Sequence, residues 1–197
     1  MRIHAVVALA VAFTAFPLAA QSNDVGVWYS TAQLKDTAGL SFDRAKGSGV
    51  SFNHFWTESI STEFAVHSIR AKAAIDVEGT HVLQAGKLKL MPVTANVQWH
   101  PMRESMFSPY VGAGLARVSS NDLSSSDLDL AGIGNVKIGN KMTWDANAGV
   151  NILIGRAFAL AVDGKYIALE PDAKANGSSE KLKLNPLVIS AGVKLRF

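Results

Sequence analysis

Leu184 to Phe197, LNPLVISAGVKLRF, closes the chain and decides its class. Counting back from Phe197, every second residue is apolar: Leu195, Val193, Ala191, Ile189 and Leu187. Between them stand Arg196, Lys194, Gly192, Ser190, Val188 and Pro186. A period of two is that of a β-strand whose two faces meet different surroundings, here one apolar and one mostly polar. The strand ends on an aromatic residue.

Residues 1–20, MRIHAVVALAVAFTAFPLAA, carry one Arg, then an apolar run, then small residues. This is the pattern of a secretory signal peptide cut after Ala20. The alternative is a retained anchor, but the run from Ala5 to Ala20 is broken by Pro17 and falls short of the ~20 residues of a helical span. The domain expected after it is 21–197. No later segment of spanning length lacks charges, so a membrane-embedded mature chain must be a closed barrel. Loss of Arg2 takes the formal charge from +3 to +2, too little to suggest nucleic acid. With no Cys, disulfides and thiolate metal sites are excluded.

The remaining chain alternates in seven more places. The expected strands are Asp24 to Leu34, Ser48 to Trp56, Ser59 to Ile69, Leu88 to Trp99, Phe107 to Val118, Met142 to Ile154 and Ala157 to Leu169. In the first, alternation leaves the face of Trp28 open. The connections run long, short, long, short, long, short, long, from Lys35 to Gly47 through to Glu170 to Lys183. The long ones include a charged stretch, Arg70 to Lys87, and a Ser-rich one, Ser119 to Lys141, whose LDLAGIG portion could form a short helix. In an up-and-down barrel this alternation puts every short turn and both termini on one side.

The fold expected is therefore all-β: an eight-stranded antiparallel up-and-down transmembrane β-barrel in the cell outer membrane, reached through the periplasm. Trp56, Trp99, Phe107, Phe158 and Phe197 fall at the short-turn end, and Trp144 and Tyr166 toward the long-loop end. They are the expected membrane-interface aromatics. A soluble lipocalin-like barrel is the alternative, but it would need the opposite distribution of polar and apolar faces. Outer-membrane lipid is the expected surrounding. The last strand, ending at Phe197, is the expected point of engagement by the barrel assembly machinery.

By parity, the expected barrel-interior, pore-lining residues are Glu63, His67, Asn96, Gln98, Asp145, Asn147, Asn151, Asp163, Lys165, Lys194 and Arg196. Gly112 and Gly114 share that face and permit close approach across a narrow lumen. Three acids thus meet three bases, and the sequence suggests a cross-strand ladder of Asp163 and Lys165 with Lys194 and Arg196. Such charges avoid a large penalty only when paired or wetted. The His residues lack metal-site spacing, and no cofactor or metal is expected. Adjacent Ser68 and His67 point to opposite faces, and GxSxG is absent, so no enzyme is expected.

LMPVTANVQWHP followed by FSPYVGAGLARV, with NAGVNILI, DGKYIAL and NPLVISAGVKLRF, resembles the OmpW family of bacterial outer-membrane proteins. The resemblance covers the mature chain, most specifically from Lys87 onward. It implies a narrow barrel for passive passage of small hydrophobic or amphipathic molecules, leaving sideways into the bilayer. The charged inward set departs from the family's apolar lumen. The runner-up is a non-conducting structural or surface-interaction barrel with a plugged lumen. An apolar patch at the extracellular end would favour passage.

Overall fold

The computed structural model describes residues 22–36, 40–77, 81–121, 137–175 and 178–197. The expected signal peptide and the LDLAGIG portion lie outside the described residues. Twelve strands are formed: β1 (Asn23–Gln33), β2 (Leu40–Phe42), β3 (Ala45–Phe55), β4 (Ile60–Val77), β5 (His81–Trp99), β6 (Phe107–Ser120), β7 (Lys137–Ile138), β8 (Lys141–Ile154), β9 (Phe158–Ile167), β10 (Asp172–Ala175), β11 (Ser178–Lys181) and β12 (Leu187–Arg196).

Eight of them close a barrel in the order β4-β3-β1-β12-β9-β8-β6-β5, with β4 and β5 sealing the ring. All neighbours are antiparallel, and the terminal strand closes it by pairing β1 from Asp24↔Arg196 to Gln33↔Leu187. The first and last strands are therefore neighbours, and no edge is left unpaired in the wall. β2 is an extra pairing on the upper part of β4, and β10, β11 and β7 form a small separate sheet.

Burial follows the period of two and gives the barrel its orientation. Val27, Phe64, Val97, Leu115 and Ile189 are all more than half exposed on the outside, whereas Asp24, Glu63, Gln98, Asp145 and Lys194 are nearly or fully buried inside. A water-soluble barrel would reverse these faces. This wall needs hydrocarbon around it.

The expected loop at Arg70 to Lys87 is corrected: β4 runs on to Val77 and β5 starts at His81. Ala71, Ala73, Leu88 and Leu90 stay inward while Arg70, Lys72 and Lys87 point out, so the strand pattern continues through the charges. Outward charges are compatible with a strand once the wall has left the hydrocarbon. Likewise β3 already begins at Ala45, within the expected first loop, and β10 and β11 form a hairpin inside the expected last one. Gly155, at φ +69°, makes the tight turn between β8 and β9.

Candidate functional site

The site is the barrel interior, and it has two halves. At the short-turn end, Arg196 Nε lies 3.6 Å from Asp24 Oδ1, and its Nη2 lies 3.6 Å from Glu104 Oε1. Arg103, in the turn after β5, sets its guanidinium 3.6 Å above the Phe55 ring. His100 stacks between Phe55 and Tyr110, with its Nε2 3.0 Å from Ser61 Oγ. It sits just beyond β5, and burial pushes its imidazole down to about 3. His100 is thus neutral at ordinary pH.

One layer up, Lys194 Nζ rests 5.3 Å from the Trp28 ring and 4.9 Å from the Tyr110 ring, with no hydrogen-bond acceptor among the described residues. Trp28 faces inward, which answers the question alternation left open, and its Nε1 donates to Ser51 Oγ at 2.8 Å. Room for these rings comes from glycine: a Cβ on Gly149 would stand 2.5 Å from Tyr110, and one on Gly192 2.7 Å from Trp28.

The middle is a hydrogen-bonded lattice. Asn53 donates to Gln98 at 3.3 Å, and Asn96 to Asp145 at 2.5 Å. Tyr110 and Asn147 both donate to Asp163 Oδ2 at 2.9 Å. Above it Lys165 Nζ reaches Glu63 Oε1 at 3.3 Å and Thr94 Oγ1 at 3.1 Å. Ser30 bridges His67 Nδ1 at 3.0 Å and Ser190 at 2.8 Å.

From this level to the long-loop end the lining changes character. Ala32, Leu34, Ile69, Leu88, Leu90, Val118, Ile167, Leu169 and Val188 form one apolar cluster, with Leu182 and Leu184 folded in from the segment before β12. At the junction of the halves is a void of about 10 Å³ beside His67, Pro92, Lys165 and Val188, the space of about one water.

The wall has a seam at the same height. The β4–β5 ladder runs from Ile60↔Trp99 to Val66↔Val93 and resumes in the same register at Ile69↔Leu90. Opposite Pro92 and Met91, His67 and Ser68 have no ladder partner on β5, while on β3 they pair with Gly49 and Ser48. Pro92 has no N–H to give. On its other side Pro92 still pairs with Val118 of β6.

The side chains of Glu63, His67, Asn96, Gln98, Asp145, Asn147, Asn151, Asp163, Lys165, Lys194 and Arg196 all point inward and are buried. The expected ladder among them is corrected. Lys165 stands opposite Val188 and Lys194 opposite Ala159, several residues apart along the wall, so Lys165 pairs across the lumen with Glu63 instead. Parity alone does not say which strands face one another across a closed barrel. Asp24, Trp28 and Tyr110 also belong to the interior, and Tyr110 was readable by the parity it shares with Gly112 and Gly114. The inward turn of His100 and Arg103 had no sequence signal. Trp56, Trp99, Phe107, Trp144 and Phe158 are exposed outside, and Tyr166 and Phe197 partly so.

The OmpW family model matches residues 10–197. The uncharacterized outer-membrane protein y4mB of Sinorhizobium fredii is 28% identical over 150 residues, covering 74% of this chain and 63% of that protein. The chain thus spans less than two thirds of that relative's length. Among solved structures, outer membrane protein OprG from Pseudomonas aeruginosa superposes with a TM-score of 0.76 at 15% identity, covering 89% of this chain and 96% of OprG. AlkL in DMPC lipid bilayers gives 0.63 at 19% identity, with 92% and 95% covered. E. coli outer membrane protein W gives 0.55 at 18% identity, with 91% and 100% covered. At these identities the structural likeness is one of fold.

Proposed function

The chain belongs to the OmpW family and is an outer-membrane β-barrel, and from that premise we propose that it passes small hydrophobic or amphipathic molecules without spending energy. What supports this reading most is the division of the lumen: an apolar upper half ends on a dense polar floor, and the wall ladder is interrupted at their junction. A solute partitioning into the upper half gains from apolar burial. Going further down would mean breaking the Lys165–Glu63 pair and the Asn–Asp lattice. The shorter route is sideways, past His67 and Pro92, into hydrocarbon.

In this reading the eleven inward residues form the lining and floor of the route. Trp56, Trp99, Phe107, Phe158 and Phe197 hold the inner interface, and Trp144 with Tyr166 the outer one. Residues 1–20 act as the export signal, and the strand ending at Phe197 is the segment offered to the assembly machinery.

The experiment is entry of a fluorescent medium-chain fatty acid into vesicles containing the refolded protein. Wild type should exceed empty vesicles. Pro92→Ala, which gives the seam an N–H, should slow entry several-fold while folding is kept. Ion conductance should be absent from wild type and from a Lys194→Ala, Arg196→Ala double variant. Entry equal to empty vesicles would leave the plugged, non-conducting barrel. Discrete conductance changed by the double variant would replace the sideways route with an axial pore.

A further inference from the structure

The outer wall carries an arrangement that passage through the lumen does not use. Lys46 of β3 stands opposite Arg70 of β4, and Arg70 stands opposite Lys89 of β5, so three cations occupy one cross-strand row. Along β4 and β5 the next outward pair is Lys72 opposite Lys87. Lys46, Arg70, Lys72 and Lys87 are exposed and Lys89 half-buried, while the alternate residues Ala45, Ile69, Ala71, Leu88 and Leu90 are buried. All five cations therefore lie on the outside of the barrel.

Like charges directly opposite one another destabilise a sheet. Nothing relieves them here: none of the five is within 4.0 Å of a carboxylate among the described residues. Asp43, at the mouth of β3, meets Lys72 only through its backbone N–H. With no carboxylate at ion-pair distance among the described residues, the facing cations ask for an anion from outside the chain.

Their height says which anion. Trp99 and Lys89 are the ends of one outward row on β5, whose intermediate members are Val97, Ala95, Val93 and Met91. Ten residues at about 3.3 Å each, tilted by about 40°, rise about 25 Å, the height of the apolar band of such barrels. The cations thus begin where the hydrocarbon of the outer leaflet ends, at the level of lipid headgroups. On the next strand, β6, the outward Arg117 is exposed as well. At the long-loop end of β8 and β9 the outward residues are Trp144 and Tyr166, with ring centroids 5.7 Å apart.

We propose that the row Lys46, Arg70 and Lys89, extended by Lys72 and Lys87, binds the phosphate groups of a phosphorylated glycolipid of the outer leaflet, fixing one lipid against the β3–β5 wall. An Arg flanked by two Lys offers a forked donor and two point charges to a phosphate, and basic clusters at headgroup height attract anionic lipid. The proposal is independent of transport, which is read inside the barrel.

The test uses the refolded full-length mature chain in phosphatidylcholine vesicles, alone or with bisphosphorylated lipid A, with lipid A stripped of phosphate, or with inorganic phosphate at the same concentration. The readout is the temperature at which the compact band is lost on gels. Lipid A should raise the wild-type midpoint, and the stripped lipid and inorganic phosphate should not. Lys46→Gln, Arg70→Gln, Lys89→Gln together should weaken the lipid A effect about tenfold to a hundredfold in lipid concentration. The same triple variant should be more stable than wild type in phosphatidylcholine alone, because the repulsion is gone. That reversal of sign separates lost binding from failed folding. Lys35→Gln, Lys181→Gln, Lys183→Gln removes the same charge from other exposed positions and should keep the lipid A effect. An equal response to stripped lipid or inorganic phosphate, or an unaltered response in the row variant, overturns the proposal.

Discussion

The lower and upper halves of the lumen share one wall and one alternation, yet they are held together by different physics. Below His67 polar side chains dominate around Trp28, Phe55 and a few alanines, and cohesion depends on particular partners: Lys165 on Glu63, Asp163 on Tyr110 and Asn147, Arg196 on Asp24. Above it cohesion comes from Leu, Ile, Val and Ala, which accept many neighbours. Removing one member of the lower half strands a charge. Removing one from the upper half leaves space that another apolar group can fill. The contrast separates a barrier from a place that can accommodate a guest.

The comparison breaks first at Glu63. Replacing it by Leu leaves the Lys165 ammonium buried with Thr94 Oγ1 as its remaining partner. A loss of about 3–5 kcal/mol is expected, measured by urea unfolding in micelles. Glu63→Leu with Lys165→Met should recover most of it. A single-variant cost under about 1 kcal/mol would mean that water already fills the lower half, and the contrast would fail.

Leu88→Ala probes the other half. Leu88 is fully buried in the apolar cluster, so stability should fall by about 2–4 kcal/mol. Here the loss should come with a gain: faster entry of the fluorescent fatty acid, because the space created is apolar and adjoins the seam. Slower or unchanged entry would detach the upper half from transport.

Gly149→Ala sharpens the lower half. Its new methyl would meet both the Tyr110 ring and the Val162 carbonyl oxygen at 2.5 Å, whereas at Gly164 the nearest atom would be 3.8 Å away. The first substitution should cost about 1–3 kcal/mol and the second much less. Equal costs would show that both the Tyr110 ring and the β9 backbone at Val162 give way, and that the lattice on Asp163 is loose.

Which of these features could be read from the sequence follows the same division. The eleven inward positions named from the sequence came from parity, because a strand with lipid on one side tolerates no slip of register. Parity failed where its chemical marker changed: RAKAAIDV keeps the period of two and HVLQAGKLKL breaks it once, at a bulge beside Gly86 (φ 110°), but with Lys and Arg outward both look like loop. The partners in the lower half were not legible. Lys165 and Glu63 are 102 residues apart, and their meeting depends on how eight tilted strands are staggered around the axis. The lone Lys194 between two rings depended on Trp28, whose face alternation had left open. The apolar upper half was only half legible, since Leu182 lies in the expected last connection and Leu184, though it opens the closing stretch, precedes the apolar alternation read there.

The smallest effect expected is a pH dependence at the floor, and its sign is fixed. Burial lowers the His100 imidazole from its ordinary 6.5 to about 3 in the folded barrel. The unfolded chain therefore binds the proton first, and this contribution to stability is complete above pH 6.5 and lost as pH falls toward 3. Between pH 7.5 and 5.5 the loss should be about 1.4 kcal/mol, the worth of one pKa unit. His100→Gln should remove that much of the loss, whatever the other titrating groups contribute to both proteins. If the two proteins lose stability in parallel over this range, water reaches His100 between Phe55 and Tyr110, and the floor is more open than its stacking implies.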